Sequence, residues 1–241
     1  MQYIASLSYG KDSLAMLEVI KEHGMPLDRI VHVEVMATPT ISADLPPMIE
    51  FKDHADTIIK KRYGIEVERL KAVKSYEECL YRKYGERSKK HNKIWGFPIV
   101  RGNWCNSQLK MSVLRQVERK NITYIGIASD EPNRFHSLSN IKRSPLVEHD
   151  ITETRCREWC EKNNLLSPVY TTATRGGCWF CHNQNTQQLR LLRHNYPKYW
   201  ELMMKWDSDS PVTFKPNGMT IHDYDNMFQF EEQQQTLFQE D

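Results

Sequence analysis

The sequence lacks long apolar segments. No stretch approaches the ~20 continuous apolar residues that a membrane-spanning helix requires. The first residues, MQYIASLSYGKDS, also lack the apolar core of a signal peptide. We therefore expect a cytoplasmic protein without a membrane partner. Because a reducing compartment disfavours disulfides, the six cysteines become candidates for metal binding or catalysis.

A strong net charge is missing as well. The chain has 33 basic and 31 acidic residues, a formal net charge of +2, so no global field favours nucleic acid. The basic residues that crowd one segment are Arg82, Lys83, Arg87, Lys89, Lys90 and Lys93. Such a run is usually a solvated surface, and contact with a phosphate backbone is the alternative.

Short apolar, β-branched segments alternate with helical patterns in the first part of the chain. The predicted strands are 2–7, 30–36, 65–70 and 122–128, and the predicted helices between them include 48–63 and 106–120. This alternation favours an α/β fold, with a mainly parallel sheet and helices on both faces.

Strand signals fade beyond Ser144. Residues 152–163 and 186–206 are predicted to be helical, with a break near Pro197, and a polar, frayed tail is expected from Glu231. We therefore expect a nucleotide-binding α/β domain at 1–144 and a mostly helical, cysteine-containing region at 145–241. The two are either separate or one continuous domain.

The loop Ser8-Tyr9-Gly10-Lys11-Asp12-Ser13 connects the first predicted strand to the first predicted helix. Glycine allows a phosphate to approach the backbone, and a helix N-terminus favours negative charge. The lysine adds a cation, the serines can donate hydrogen bonds, and the aspartate suits magnesium. A small-residue turn with a capping aspartate is the alternative. The position beyond the end of a strand favours a phosphate site.

The pattern Ser-x-Gly-Lys-Asp-Ser resembles the pyrophosphate loop (PP-loop) of the adenine nucleotide α-hydrolase superfamily. It lacks the spacing of a Walker A loop. Other segments resemble phosphoadenosine phosphosulfate (PAPS) reductase-like proteins over roughly residues 2–206. These segments are Trp104-Cys105 with Leu109-Lys110, Gly126 to Glu131 with Arg134, Pro145-Leu146, Ile151-Thr152-Glu153, and Gly177 to Cys181.

The resemblance implies an adenine nucleotide α-hydrolase-like fold that binds ATP, or PAPS or APS, with Mg²⁺. The residues expected to bind the nucleotide are Ser8, Tyr9, Gly10, Lys11, Asp12, Ser13, Glu131 and Arg134. Those expected to be catalytic are Lys11, Asp12, Asp130 and Arg175. Asp130 and Glu131 end a predicted strand, where carboxylates either hold magnesium or ribose, or simply begin a turn. Arg175 offers a guanidinium for phosphate or sulfate directly before the cysteine pair.

The spacing of Cys178 and Cys181 lets two thiolates bind one metal site, which needs further ligands. We expect Cys105 and Cys160 to complete it, with Cys156 as an alternative to Cys160. A [4Fe-4S] cluster and Zn²⁺ both accept such ligands, and the resemblance favours the cluster. Three cysteines would leave one iron open to sulfide or substrate, whereas four would close the site.

Two residues near these cysteines are interpreted without a ligand role. Cys79 is expected to be a buried, inert thiol. His182 is either a ligand or an exposed or neighbouring residue, and we favour the second interpretation.

These features predict an ATP-dependent enzyme that adenylates its substrate for sulfur transfer. The first alternative is a sulfonucleotide reductase, which the absence of a cysteine after Cys181 opposes, because the resemblance implies a C-terminal nucleophilic cysteine for that activity. The second is a nucleotide-binding subunit or sensor that needs a partner protein. Transfer RNA, DNA and a small metabolite all remain open as the sulfur acceptor, and a sulfur donor or partner protein is a further candidate partner.

Overall fold

The computed structural model describes residues 1–99, 102–136, 139–171 and 177–237. The strands are β1 (Tyr3–Ser6), β2 (Arg29–Glu34), β3 (Val67–Lys71), β4 (Ile122–Ile125) and β5 (Lys142–Arg143). The helices of the first half are α1 (Lys11–Glu22), α2 (Pro46–Tyr63), α3 (Tyr76–Leu80), α4 (Trp104–Asn106) and α5 (Ser112–Glu118), with a π-helical turn at Ser107–Met111. Those of the second half are α6 (Pro132–Phe135), α7 (Pro145–Glu148), α8 (Glu153–Lys162), α9 (Thr186–Asn195), α10 (Pro197–Asp209) and α11 (Ile221–Leu237), with a 3₁₀ turn at Pro168–Thr171.

The five strands form one parallel sheet in the order β3-β2-β1-β4-β5. Ile4 of β1 pairs with Arg29 of β2 on one side and with Thr123 of β4 on the other. Because parallel crossovers are right-handed, the connections from β1 through β2 to β3 and the later ones to β4 and β5, which run in opposite directions along the sheet, place helices on both faces. The predicted α/β fold class is confirmed. The order reverses between β1 and β4, which is where open parallel sheets bind ligands.

Helix α1 lies against this sheet with little contact to solvent. Its residues from Ser13 to Ile20 are all buried, including Leu14 and Leu17. Helix α2 starts with two prolines and ends at Gly64, whose φ of 71° is the left-handed conformation that terminates helices. The C-terminal end of the predicted helix 48–63 is confirmed.

The chain divides into two compact units. The sheet unit contains residues 1–35, 44–72 and 110–176, and the aromatic unit contains residues 36–43, 73–109 and 177–241. Residues 145–171 thus group with the sheet, and residues 73–109 group with the C-terminal helices. A compact unit is not an independently folding domain, so the division at residue 144 stays a prediction.

The core of the aromatic unit consists of large rings. Tyr76 packs on Phe180, Trp104 and Trp206, with ring centroids 4.1, 5.1 and 5.3 Å away. The indole nitrogen of Trp206 donates to Glu77 at 3.0 Å. Among the described residues, none of the helices has the length and apolar character that crossing a membrane requires.

The sequence prediction was wrong at the C-terminal tail. Residues 231–237 belong to α11 instead of a frayed segment. Arg190 donates to Glu231 at 2.7 Å and Arg193 donates to Glu232 at 2.5 Å, so ion pairs with α9 accompany this polar stretch of helix.

Candidate functional site

The loop between β1 and α1 is closed by its own serines. The backbone N–H and the hydroxyl of Ser8 both donate to the hydroxyl oxygen of Ser13, at 3.1 and 3.0 Å. Ser13 in turn donates to the carbonyl oxygen of Gly10 at 3.0 Å. These bonds hold the loop against the first turn of α1, where the N–H groups and the helix dipole favour an anion.

Tyr9 anchors the loop from the inside. Its φ is 57°, an unusual value for a tyrosine, and its side chain is fully buried. The hydroxyl donates to Asp56 at 2.5 Å, and the ring lies edge-on to His32 at 4.7 Å. The structure thus places this predicted nucleotide-binding side chain in the core, which leaves its backbone to face the loop.

A buried polar network supports Tyr9. Lys52 is 4% exposed, pairs with Asp44, and lies 5.3 Å from the centre of the Tyr9 ring. It also contacts Nε2 of His32 at 2.8 Å, while Nδ1 of His32 lies 2.9 Å from the carbonyl oxygen of Leu7. Burial, together with the Lys52 charge, lowers the pKa of His32 to about 3, so the ring is neutral. Sequence reasoning missed this network, because a helical lysine usually faces solvent.

Gly126 brings the end of β4 against the Ser8–Ser13 loop. A Cβ atom there would lie 2.6 Å from the backbone nitrogen and 2.7 Å from the Cα of Ser13, and 2.8 Å from the carbonyl carbon of Asp12. Real Cβ contacts are essentially never that short. Glycine at this position therefore lets the chain after β4 approach the first turn of α1.

Three carboxylates meet beside the loop. Oxygen atoms of Asp12, Glu131 and Glu153 all lie within 4.8 Å of one another. The ammonium group of Lys11 is 3.0 Å from Asp12 and 3.3 Å from Glu153. The pKa of Asp12 is raised, mainly by burial. The nearby Lys11 lowers this pKa, and the negative charges of Glu153 and Glu131 raise it further. Crowded carboxylate oxygens are the ligands that Mg²⁺ prefers.

Glu153 was not among the predicted site residues. The sequence signal that could have identified it is its place in the Ile151-Thr152-Glu153 segment, which resembles PAPS reductase-like proteins. Thr152 caps the N-terminus of α8, and Asp130 accepts from the backbone N–H of Glu153 at 3.0 Å. The structure thus gives Asp130 a role in positioning Glu153.

Of the two arginines predicted to belong to the site, one lies within the described residues and one does not. Arg134 donates to both carboxylate oxygens of Glu131, at 2.6 and 2.7 Å, and so belongs to the surroundings of the acidic group. Arg175, predicted to be catalytic, lies outside the described residues.

Three cysteines of the aromatic unit act on the pKa of Tyr76: Cys105, Cys178 and Cys181, which we call the three-thiol site. None of the six cysteines, all of which lie within the described residues, forms a disulfide, and these three are half-buried. Burial and then the charges of Cys105, Cys181 and Cys178 raise the pKa of Tyr76 well above its ordinary value. The backbone N–H of Cys181 donates a hydrogen bond of 3.0 Å to the carbonyl oxygen of Cys178, which closes the turn between the two cysteines.

Cys160, the predicted fourth ligand, belongs to the sheet unit. It is fully buried, and its thiol donates to the carbonyl oxygen of Lys11 at 3.4 Å. Burial and the nearby Asp12 raise its pKa to about 12, and the pKa of the alternative, Cys156, is raised to about 12 likewise. Because metal ligands must be deprotonated thiolates, these surroundings favour packed neutral thiols. Cys79 is buried, as expected for an inert thiol.

The turn after the cysteine pair is held by a lysine that sequence reasoning missed. Lys215 donates to the carbonyl oxygen of His182 at 2.6 Å and also to that of Gln184. His182 is 9% exposed, so its interpretation as an exposed residue was wrong, and its role beside a metal site stays a prediction. Burial, followed by the charge of Lys215, lowers the pKa of His182.

Comparisons with known proteins place the fold in context. No family model matches the chain. A curated protein, "Uncharacterized protein MJ0066" of Methanocaldococcus jannaschii, is 20% identical over 223 residues, covering 85% of this chain. The chain spans 40% of the length of that relative. Among solved structures, the U34-tRNA thiolase NcsA from Methanococcus maripaludis with its [4Fe-4S] cluster matches 86% of this chain and 71% of its own, with 16% identity and a TM-score of 0.43. The sheet and its loop define a parallel α/β protein.

Proposed function

We propose that this chain is an ATP-dependent PP-loop enzyme of the PAPS reductase-like type, which adenylates an oxygen of its acceptor and then replaces that oxygen with sulfur. One arrangement carries the proposal. The loop Ser8–Ser13 lies at the N-terminus of a 12-residue helix, and Lys11 and three carboxylates lie beside it.

The loop supplies the donors that a pyrophosphate group needs. Backbone N–H groups of the first turn of α1 and the helix dipole favour phosphate oxygens, and Gly10 leaves room for them. Lys11 adds a cation whose partners, Asp12 and Glu153, become available to a metal once the ammonium turns to phosphate.

The carboxylates supply a site for Mg²⁺. Asp12, Glu131 and Glu153 offer oxygen ligands within 4.8 Å of one another, and Asp130 and Arg134 hold two of them in place. These oxygens would hold Mg²⁺, which would supply positive charge to neutralise the leaving pyrophosphate.

The reaction proceeds in two displacements. An oxygen of the acceptor attacks the α-phosphorus of ATP, and the bond from that phosphorus to pyrophosphate breaks. A sulfur nucleophile of the hydrosulfide class then attacks the activated carbon, and the carbon–oxygen bond breaks to release AMP. The first-turn N–H groups and Lys11 stabilise the negative charge that develops on the pyrophosphate.

The three-thiol site is the candidate for a metal or iron–sulfur group. Cys105, Cys178 and Cys181 form no disulfide, are half-buried, and each contributes to raising the pKa of the buried Tyr76. Their thiolates would hold a [4Fe-4S] cluster, or alternatively Zn²⁺, and that group would bind the sulfur to be transferred. We assign the ligands to these three cysteines and propose no ligand role for Cys160.

The acceptor stays open among transfer RNA, DNA and a small metabolite. The basic residues between Arg82 and Lys93 are exposed on their segment, which suits a phosphate backbone. A separate partner protein as sulfur donor is compatible with this chemistry.

The test is the nature of the nucleotide products. Full-length protein prepared without oxygen is incubated with Mg-ATP, sulfide and separate pools of transfer RNA, DNA and small metabolites. The proposal predicts AMP and pyrophosphate in equal amounts with one of these pools. Formation of ADP and phosphate contradicts adenylation, and dependence on a second protein supports the interpretation as a nucleotide-binding subunit.

A further inference from the structure

A serine, a histidine and an aspartate form one chain of hydrogen bonds where the last turn of α10 meets the first turn of α11. Nε2 of His222 lies 3.3 Å from the hydroxyl oxygen of Ser208, and Nδ1 lies 2.6 Å from a carboxylate oxygen of Asp207. No other histidine in the described part of the chain has a hydroxyl on one ring nitrogen and a carboxylate on the other. A nucleophile, a base and a group that orients the base are the three parts of a nucleophilic site.

The histidine ring is held in its orientation from two sides. The side chain of Asp207 is 4% exposed, and its carboxylate also accepts from the backbone N–H of His222 at 3.2 Å. The backbone N–H groups of Thr220 and Asp223 each donate to the other's side chain, at 2.9 and 3.0 Å, which caps the first turn of α11. Because the carboxylate accepts the proton of Nδ1, the lone pair of Nε2 faces Ser208 in the neutral ring.

Ser208 is exposed, so a substrate from solvent can reach its hydroxyl. The hydroxyl oxygen also lies 3.1 Å from the carbonyl oxygen of Met204, one turn earlier in α10. A hydroxyl has a single proton, which rotates between two such acceptors. When this proton points to His222, its transfer to Nε2 leaves the serine oxygen as a nucleophile. All of these residues belong to the aromatic unit, and neither the phosphate loop nor the three-thiol site includes them.

We propose that Ser208 is an activated nucleophile, which gives the protein a second activity: the hydrolysis of small activated esters. Oγ of Ser208 attacks the acyl carbon while its proton passes to Nε2 of His222. The bond from the acyl carbon to the leaving group then breaks, and His222 gives the proton to that group. Water attacks the acyl-serine, again through His222, and the proton returns to Oγ. An exposed serine suits esters with a good leaving group, because these need the least stabilisation of the tetrahedral intermediate.

In this step Ser208 and His222 are catalytic residues, and Asp207 is a positioning residue that acts through the imidazole. A carboxylate in this place keeps the proton on Nδ1 and so keeps Nε2 available as the base. The reaction uses neither ATP nor a metal. The inference therefore stands or falls independently of the proposed function.

The test uses full-length protein and p-nitrophenyl acetate, without ATP. Release of p-nitrophenol measures the rate, and mass spectrometry of acid-quenched protein locates the acetyl group. Ser208→Ala, His222→Gln and Asp207→Asn are compared with the wild type. His194→Gln is the matched control, because His194 is an exposed histidine of the same unit without a described partner.

The wild type is expected to carry the acetyl group on Ser208, and Ser208→Ala is expected to lose both this label and the turnover. His222→Gln is expected to lower kcat by roughly 100-fold or more, with KM within about twofold, since it removes a general base and not a binding group. Asp207→Asn is expected to lower kcat as well, and to remove the low-field proton resonance of the Nδ1–H group. His194→Gln is expected to change nothing.

Three outcomes overturn the inference: no turnover above the uncatalysed rate, acetyl groups only on residues other than Ser208, or a wild-type rate in His222→Gln. Urea unfolding checks that the variants fold. If His222→Gln is unfolded, the comparison of Ser208→Ala with the wild type still decides, because an exposed serine contributes little to stability. A protein that forms no AMP from ATP but acetylates Ser208 supports the inference and contradicts the proposed function.

Discussion

The hydroxyl oxygen of Tyr170 accepts a hydrogen bond from the backbone N–H of Lys11 over 3.2 Å. A Cβ at Gly10 would lie 3.3 Å from the same oxygen. Tyr170 therefore contacts the first turn of α1, where we propose that pyrophosphate binds. Sequence reasoning missed this residue.

Removing this hydroxyl is expected to strengthen pyrophosphate binding. In Tyr170→Phe the N–H of Lys11 no longer has the competing acceptor, which is a difference of about 1 kcal/mol, or roughly fivefold in affinity. Calorimetric titration with pyrophosphate measures the change, and Tyr124→Phe is the control. Weaker binding would show that the hydroxyl contacts the phosphate directly, contrary to this account.

Gly126→Ala is expected to displace the phosphate loop. The new Cβ would lie within 3 Å of the backbone at Ser13 and Asp12, so the first turn of α1 must shift. Overpacking of this kind costs roughly 1–3 kcal/mol of unfolding free energy. ATP affinity is expected to fall as well. Gly85→Ala is the control, because its Cβ meets no atom within 4 Å. Urea unfolding and ATP titration compare the two variants. Equal stability and equal ATP affinity would refute the prediction.

Glu153→Gln is expected to weaken Mg²⁺ binding while the fold is retained. It removes one of the three anionic ligands beside Lys11, although the backbone N–H that donates to Asp130 remains. The magnesium concentration for half-maximal ATP binding should rise about tenfold or more. Glu158→Gln, on the exposed side of α8, should leave it unchanged. A wild-type magnesium response in Glu153→Gln would remove this carboxylate from the metal site.

Acid is expected to destabilise the protein through His32. Its pKa is lowered from 6.5 to about 3 by burial and by Lys52, so the unfolded chain binds more protons between these values. The free energy of unfolding therefore falls as pH decreases below 6.5, by up to about 1.4 kcal/mol per pH unit. Urea unfolding at several pH values measures this slope. His32→Gln should flatten it, the exposed His54→Gln should not, and an unchanged slope in His32→Gln would contradict the assignment.

Local sequence patterns predicted the architecture well. The four longer strands and helix α2 follow short-range signals, namely alternating apolar segments, flanking turns and the terminating Gly64. The two-residue strand β5 was missed, because it is too short for any pattern. The end of α11 was predicted wrongly, because its ion pairs to Arg190 and Arg193 join residues about 40 positions apart.

The site was predictable where the chemistry lies in one segment. The phosphate loop and the cysteine pair are contiguous motifs. Three features of the site depend on tertiary packing and could not be predicted: the buried side chain of Tyr9, the buried Lys52, and the contact of Tyr170 with Lys11. Residues of these types are more often found at the protein surface. Cys105, Cys178 and Cys181 all raise the pKa of Tyr76, and the assignment of metal ligands among the predicted cysteines stays a prediction.

ATP-dependent incorporation of sulfur is the most direct test of the central claim. Anaerobic full-length protein is incubated with radiolabelled sulfide, Mg-ATP and the acceptor pool that yields AMP. The account predicts label in the acceptor with wild-type protein and its loss without ATP or in Lys11→Ala, which lacks the cation of the phosphate loop. Equal labelling without ATP, or full activity of Lys11→Ala, would contradict it.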